Sequence, residues 1–235
     1  MIIGGLQKMT LIDYPGKIAC TVFLSVCNFR CPWCYSGELV LPEKIIKQPK
    51  IAEKEFFDFL KERQGLLEGV VLCGGEPTVN KELLAFVEKI KKLGFSVKLD
   101  TNGSNPEMLK ELVNKKLIDY VAMDIKAPAD GQIYKKILGE GVDIQNIKDS
   151  VEFLKKDKID FEFRTTVVDT IHNKKDFLEI AKWIGGPNVK YYLQNFRPEK
   201  TIDPEFEKIK PFSKEFLEEI VKDISSYFKI CRLRY

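Results

Sequence analysis

The sequence predicts an α/β fold with a mainly parallel sheet, on three observations. Six short apolar segments rich in β-branched residues alternate with segments whose apolar residues recur at helical spacing. The apolar segments are nearly continuous, which is typical of strands that are buried on both faces. No linker or change of composition divides the chain. Two topologies fit, an open barrel two units short of eight and a doubly wound sheet, and both place functional residues at the carboxyl ends of the strands.

Each predicted strand is a short apolar run that ends at glycine or at polar residues. The six runs are 18–25, 69–73, 95–101, 119–126, 160–168 and 189–196. Residues 1–17, with a turn signal at Pro15-Gly16, are predicted to be an irregular lead-in. The stretches 35–49 and 128–141 contain proline or glycine and are predicted to be loops. Residues 230–235 are predicted to form a short edge strand.

Each predicted helix carries its apolar residues on one face, as in 80–93, where they recur every three or four positions. Asn80 is the predicted N-cap of that helix and Gly94 its stop, while Asn105 is the predicted cap of the helix that starts at Pro106. The predicted helices are 51–63, 80–93, 106–116, 146–156, 173–184 and 213–228. They alternate with the strands along the chain, which predicts a single domain over 1–235 with a core at about 16–196 and a tail at 197–235.

The composition is that of a globular protein, with 44% hydrophobic and 31% charged residues. The 38 basic and 35 acidic residues nearly cancel, which gives no support to nucleic acid binding as a property of the whole chain. No apolar run reaches the ~20 residues of a membrane span, and no secretory signal is visible, so a cytoplasmic protein is expected. Six cysteines in a chain of this size indicate a metal or cluster site in a reducing compartment rather than disulfides.

Three cysteines lie within eight positions in CNFRCPWC, at Cys27, Cys31 and Cys34. Thiolates bind zinc and iron–sulfur clusters. A structural zinc site needs four ligands, and Cys73 could be the fourth, so a zinc-stapled binding module stays open. The sole histidine, His172, is predicted to lie on the surface. Cys20 and Cys231 are interpreted as small buried hydrophobic residues.

Polar residues end every predicted strand, although each could also be an ordinary turn or loop residue. Six such sets at one edge of one sheet indicate a functional site at that edge. In chain order they are the three cysteines, CGGEP (73–77), DTNG (100–103), MDIK (123–126), Arg164, and Gln194 with Asn195.

Cys-x3-Cys-x2-Cys after the first strand, with CGGEP after the second, resembles the radical S-adenosylmethionine (SAM) enzymes. The stretches LIDYPGK, DTNG and MDIK resemble one branch, the activating enzymes of glycyl radical proteins. Within it the likeness is greatest to activators of anaerobic ribonucleoside-triphosphate reductase and of pyruvate formate-lyase. The resemblance covers about residues 3–196. It implies a partial (βα)6 barrel of the TIM type, and so favours the open barrel.

The resemblance also implies roles for residues of this chain. Cys27, Cys31 and Cys34 would ligate a [4Fe–4S] cluster, whose open iron would bind SAM. The remaining contacts would hold the cofactor, with a monovalent cation near Asp100, Thr101 and Asp124. The implied SAM contacts are Trp33, Tyr35, Gly74, Gly75, Glu76, Asp100, Asp124, Lys126, Arg164 and Gln194. Tyr35 and Gln194 stand where relatives often carry histidine.

The implied reaction is reductive cleavage of SAM to a 5′-deoxyadenosyl radical, which takes a hydrogen atom from a glycine of a partner. The expected partners are a glycyl radical enzyme, in the first place anaerobic ribonucleotide reductase, and a flavodoxin- or ferredoxin-type electron donor. The stretches 35–49 and 197–211 are predicted to flank the side where the partner binds. The alternative within enzymes is a radical SAM catalyst that acts on a small molecule, such as 7-carboxy-7-deazaguanine synthase.

Overall fold

This computed structural model describes residues 1–234, and its strands follow chain order in one eight-stranded sheet. A doubly wound sheet reverses its strand order at a switch point, so the unbroken order confirms the open-barrel class. In the described residues β1 and β8 are the two ends of that order, and the sheet is open. The strands are β1 (Ile3–Thr10), β2 (Ala19–Leu24), β3 (Gly69–Gly74), β4 (Ser96–Thr101), β5 (Tyr120–Asp124), β6 (Asp160–Val167), β7 (Gly186–Asn195) and β8 (Phe228–Arg234).

The helices alternate with these strands, as the repeated βα pattern predicts. They are α1 (Gly37–Val40), α2 (Pro42–Ile45), α3 (Glu53–Glu62), α4 (Leu83–Lys92), α5 (Pro106–Asn114), α6 (Gly131–Leu138), α7 (Ile144–Lys156), α8 (Lys174–Ile184) and α9 (Lys214–Ile224). Short 3₁₀ turns cover Pro77–Val79, Pro204–Lys208 and Ser225–Tyr227. No helix in the described part of the chain has both the length and the apolar character that crossing a membrane requires.

The largest difference from the prediction is β1, whose 8 residues lie within the expected irregular lead-in. β1 pairs antiparallel with β2, whereas β2 and β3, β3 and β4, β6 and β7, and β7 and β8 pair in parallel. Gly4, Gly5 and the polar pair Gln7-Lys8 hide the strand pattern in the sequence. The pairing with β2 supplies the hydrogen bonds that the local sequence does not signal.

Two predicted loops contain helices. The stretch 128–141 holds α6, which Asp130 caps by accepting hydrogen bonds from the amides of Gln132 and Ile133, and which ends at Gly139 with φ +108°. The stretch 35–49 holds α1 and α2. Glycine and proline stand at the ends of these helices, where they are tolerated, rather than inside them.

Helix ends differ from the prediction by no more than four residues. α4 begins at Leu83, so Asn80 is not its N-cap; the Asn80 side-chain amide instead donates to the carbonyl of Pro77. Gly94, with φ +90°, follows the end of α4 as predicted. β8 confirms the predicted edge strand, except that position 235 lies outside the described residues.

The chain divides into two compact units. The first comprises 1–28, 36–101 and 107–121, and its core includes Phe56, Leu60 and Phe86. The second comprises 29–35, 102–106 and the described chain from 122 onward, and its largest buried side chains are Tyr134, Tyr191, Phe163 and Phe177. The prediction of a single domain over 1–235 stays a prediction.

Candidate functional site

The three cysteines of the motif lie on the loop that follows β2 and are partly exposed. Cys27 belongs to the first unit, and Cys31 and Cys34 belong to the second. Two other cysteines are poor metal ligands, because burial raises the pKa of Cys20 and of Cys231 to about 12. The thiolate is the form that binds metal. The interpretation of Cys20 as a buried hydrophobic residue is confirmed, whereas Cys231 is only half-buried.

The described residues contain no group of three or more His, Cys, Asp or Glu side chains gathered around a point where one metal ion could bind. A tetrahedral zinc site, which needs four ligands on one ion, therefore has no counterpart there. An iron–sulfur cluster needs a different arrangement of ligands, because each thiolate binds a different iron atom of the cluster. Three partly exposed thiols on one loop are chemically suitable ligands for an iron–sulfur cluster.

In the first unit, Gly74 and Gly75 are required by backbone packing. The amide of Gly75 donates to the carbonyl of Leu24, and the amide of Glu76 donates to that of Val26, each at 2.8 Å. A Cβ atom on Gly75 would lie 2.2 Å from the Val26 carbonyl oxygen, and one on Gly74 would lie 2.4 Å from that of Leu24. The end of β3 therefore packs tightly against the backbone that leads into Cys27.

Glu76 is 1% exposed, and its carboxylate accepts hydrogen bonds from two threonines. Its Oε1 accepts hydrogen bonds from the Thr78 amide (3.1 Å), the Thr78 hydroxyl (2.5 Å) and the Thr101 hydroxyl (2.6 Å). Thr101 ends β4, so this carboxylate links the ends of two strands. We call Gly74, Gly75, Glu76, Thr78 and Thr101 the Glu76 group.

Asp100 has a cationic partner within the chain. The Lys98 ammonium group, on the same face of β4, forms an ion pair with the Asp100 carboxylate, and Lys98 is 2% exposed. Thr101 donates a hydrogen bond to Glu76, and Asp124 forms ion pairs with Lys126 and Arg164. The predicted monovalent cation at Asp100, Thr101 and Asp124 stays a prediction.

In the second unit, Asp124 at the end of β5 lies between two cations. Its Oδ1 accepts from Arg164 Nε and its Oδ2 accepts from Lys126 Nζ, both at 2.9 Å. Burial alone would raise the pKa of Asp124, but Arg164 and Lys126 outweigh it and hold this pKa far below its usual range. We call Asp124, Lys126 and Arg164 the Asp124 group.

Lys126 also interacts electrostatically with the motif cysteine Cys31. Burial alone would lower the pKa of Lys126, but the negative charges of Asp124 and Cys31 raise it above its usual value. Lys126 is therefore a permanent cation beside one of the predicted cluster ligands. A cation beside a thiol favours the thiolate, which is the form that binds metal, so this position of Lys126 is compatible with the predicted role of Cys31.

Trp33 and the tail that follows β7 come together in the second unit. Trp33 is buried, and its ring centroid lies 6.4 Å from that of Phe206. The amides of Ile202 and Asp203 donate to the carbonyls of Cys34 (2.9 Å) and Pro32 (3.0 Å). The residues predicted to flank a partner-binding side thus bind the cysteine loop itself.

Tyr35 and Gln194 are two of the predicted SAM contacts. Tyr35 is 63% exposed. Gln194 is partly buried on β7, in register with Thr166 of β6 and Arg234 of β8. Neither position contradicts a role as a SAM contact, and both roles stay predictions.

The prediction that His172 lies on the surface is wrong, because the residue is 3% exposed. Its Nδ1 accepts a hydrogen bond from the Val168 amide (3.1 Å), and its Nε2 lies 2.9 Å from the Lys126 carbonyl oxygen. Only folding brings β5 and the loop after β6 together, so no local signal in the sequence marks this contact.

The pair of Glu162 and Arg234 was also missed. Glu162 is fully buried on β6, and Arg234 of β8 donates to both of its carboxylate oxygens, at 2.6 and 3.0 Å. The Arg234 guanidinium also lies 3.9 Å from the centroid of the Tyr192 ring on β7. Such a bidentate pair is a strong link between strands, and here it joins β6 to β8 across β7.

Comparison with known proteins identifies the family. The model of the Radical SAM superfamily matches residues 21–184. A Methanocaldococcus jannaschii protein, provisionally named a glycyl-radical enzyme activating enzyme, is 35% identical over 219 residues, which cover 91% of this chain and 87% of that protein. The 7-carboxy-7-deazaguanine synthase of Thermoplasma acidophilum is 29% identical over 171 residues, which cover 72% and 76% of the two chains.

Among solved structures, Streptococcus suis SuiB superposes with a TM-score of 0.68 at 13% identity and shares the fold. The match covers 92% of this chain but 48% of SuiB, so the chain spans about half the length of that protein. The family match covers well over half of the chain and includes the cysteine loop, both glycines and the two carboxylates. The chain belongs to the Radical SAM superfamily and is an enzyme of the radical SAM type.

Proposed function

We propose that this enzyme activates a glycyl radical protein, by cleaving SAM reductively and removing a hydrogen atom from a glycine of its partner. The observation that carries the proposal is the 35% identity, over nearly the whole length of both chains, to the Methanocaldococcus protein that bears this name. The CNFRCPWC loop supplies the cysteines that the chemistry requires.

Cys27, Cys31 and Cys34 would hold a [4Fe–4S] cluster. When bound, this cluster supplies the electron that breaks a carbon–sulfur bond of SAM, with a flavodoxin- or ferredoxin-type protein as the donor. Lys126 acts on the charge of Cys31, and the tail at Ile202 and Asp203 fixes the backbone of the loop. Cys20 and Cys231 take no part.

SAM would be held through its charged amino acid end. The Glu76 carboxylate would meet the ammonium of SAM, and the cations Lys126 and Arg164 would meet its carboxylate. The backbone around Trp33, with Tyr35 and Gln194, would contact the rest of the cofactor. No general acid or base is needed for hydrogen atom abstraction, in keeping with a single histidine that lies buried in a hydrogen-bonded turn.

The proposed partner is anaerobic ribonucleotide reductase, in an anaerobic cytoplasm. The test mixes the reconstituted, reduced protein and SAM with candidate glycyl radical enzymes. A glycyl doublet in the electron paramagnetic resonance spectrum of one partner is expected. Release of 5′-deoxyadenosine without a doublet from any partner would contradict activation while leaving SAM cleavage intact.

The second candidate is a radical SAM reaction on a small molecule, which the similarity to a deazaguanine synthase favours. Formation of 7-carboxy-7-deazaguanine by a cell extract supplemented with the enzyme, detected by mass spectrometry, would support it. An extract supplemented with the Cys31→Ala variant is the control.

A further inference from the structure

We propose that His172 is a positioning residue that orients Lys126 for the carboxylate of SAM. This inference rests on the proposed binding of SAM by Lys126. His172 lies in the loop Val168–Asn173 between β6 and α8, and it contacts the backbone of Lys126 beyond the end of β5. It touches none of the cysteines in any contact described above, and it would act only through Lys126.

The hydrogen bonds of the imidazole determine its tautomer. The Val168 amide can only donate, so Nδ1 must accept, and the proton lies on Nε2. The Lys126 carbonyl can only accept, so Nε2–H donates to it at 2.9 Å. A neutral ring with its proton on Nε2 satisfies both partners, whereas an imidazolium could not accept from Val168. The His172 amide also donates to the Val168 carbonyl at 2.9 Å, which closes the turn.

Lys126 is consequently held at each of its polar groups. Its amide donates to the hydroxyl of the fully buried Tyr134 at 3.1 Å, and its carbonyl accepts from His172. Its ammonium group donates to Asp124 at 2.9 Å. A flexible lysine loses side-chain entropy when it binds a ligand, and a backbone that is already fixed reduces the part of this cost that comes from the main chain.

Burial favours a neutral His172, whereas the nearby charges have opposing effects. Asp176, at the start of α8, favours the imidazolium, whereas Lys126 opposes it. Burial is the largest influence, and it lowers the pKa of His172 below its usual value. The Phe177 ring, with its centroid 5.5 Å from the imidazole centroid, packs beside it.

A purely structural role is the competing explanation, because His172 precedes Asn173, the N-cap of α8. Two variants separate the alternatives. The amide of Gln reaches the position of Nε2, so His172→Gln retains the donor to Lys126. The amide of Asn occupies the position of Nδ1, so His172→Asn retains only the acceptor for Val168.

The first test measures SAM binding to the reconstituted full-length protein by calorimetry without oxygen, with thermal unfolding measured in parallel. We expect His172→Asn to weaken SAM binding about 3- to 10-fold, the effect of one lost hydrogen bond, and His172→Gln to retain most of the affinity. In a Lys126→Met background, neither variant should weaken binding further. Equal losses in both variants, or losses that add to that of Lys126→Met, would overturn the proposal.

The second test uses the fact that the chain contains a single histidine. In untagged protein labelled with ¹⁵N-histidine, the imidazole signals belong to His172, and we expect the pattern of a neutral ring with its proton on Nε2. A proton on Nδ1 would overturn the proposal. Absence of SAM binding by the unmodified protein would refute the proposed function as well, whereas normal binding by His172→Asn would refute only the role of His172.

Discussion

Two carboxylates at strand ends, Glu76 and Asp124, have contrasting surroundings. Glu76 accepts hydrogen bonds from the amide and hydroxyl of Thr78 and from the hydroxyl of Thr101, all of them neutral. Asp124 forms ion pairs with Lys126 and Arg164. Two side-chain cations meet the Asp124 carboxylate, whereas a backbone amide and two hydroxyl groups donate to Glu76. Carboxylates in similar positions at strand ends are therefore held by different kinds of donor, which residue type alone does not predict.

The Cys31→Ala variant should have the largest effect, because it removes a predicted cluster ligand beside the Asp124 group. We expect iron and sulfide content to collapse and release of 5′-deoxyadenosine to fall to background. Cys231→Ala is the matched control, since burial keeps that thiol protonated. Full iron content in Cys31→Ala together with normal SAM cleavage would remove Cys31 from the site.

Lys126→Met should remove one of the two cations that form ion pairs with Asp124. SAM affinity should fall about 10- to 100-fold, the range expected for losing a hydrogen bond to a charged group. Calorimetry without oxygen measures the dissociation constant. Lys136→Met, at an exposed position of α6, should bind SAM like the unmodified protein. An unchanged affinity in Lys126→Met would show that the cation does not contact the cofactor.

Gly75→Ala tests whether the Glu76 group depends on close backbone packing. A methyl group 2.2 Å from the Val26 carbonyl oxygen forces the backbone apart, at a cost of about 1–3 kcal/mol. Gly141→Ala meets no atom within 4 Å and should change stability by less than about 0.5 kcal/mol. Denaturant unfolding of the two variants gives the difference, and equal stabilities would contradict the packing explanation.

Thr101→Val removes one neutral donor from Glu76 and keeps the shape of the side chain. Leaving a buried acceptor with one partner fewer should lower the free energy of unfolding by about 1–3 kcal/mol. The control is Thr166→Val on β6, at a half-buried position, with an expected change below about 0.5 kcal/mol. If both valine variants unfold at the same denaturant concentration, the Thr101 hydroxyl contributes nothing.

The smallest expected effect is a pH dependence from His172. Its folded-state pKa lies below the ordinary value of 6.5, so the unfolded chain takes up the proton first as the pH falls. The stabilisation is therefore fully present above about pH 6.5 and is lost as the pH falls through the lower, folded-state pKa. The melting temperature between pH 7.5 and 5 measures this loss, which His172→Gln should reduce. An equal slope in both proteins would assign the loss to other groups.

The sequence by itself determined the α/β class, the six parallel strands and the cysteine loop. These features depend on local patterns, because an apolar run between glycines forms a strand and clustered cysteines stand out in any fold. β1 and α6 were not predicted, because their sequence signals are weak. Pairing with β2 stabilises β1, and capping by Asp130 stabilises α6. Their stabilising partners lie in the tertiary structure or in the caps rather than in the pattern of the segment.

Only the tertiary structure decided which partner each polar residue has. The sequence placed Glu76, Asp124, Lys126 and Arg164 at strand ends, but it could not show that Glu76 meets Thr101 while Asp124 meets two cations. It placed His172 on the surface, whereas folding buries it against Lys126. Residue type determines which charge a side chain can carry, but the groups that folding brings within hydrogen-bonding distance determine how that charge is balanced.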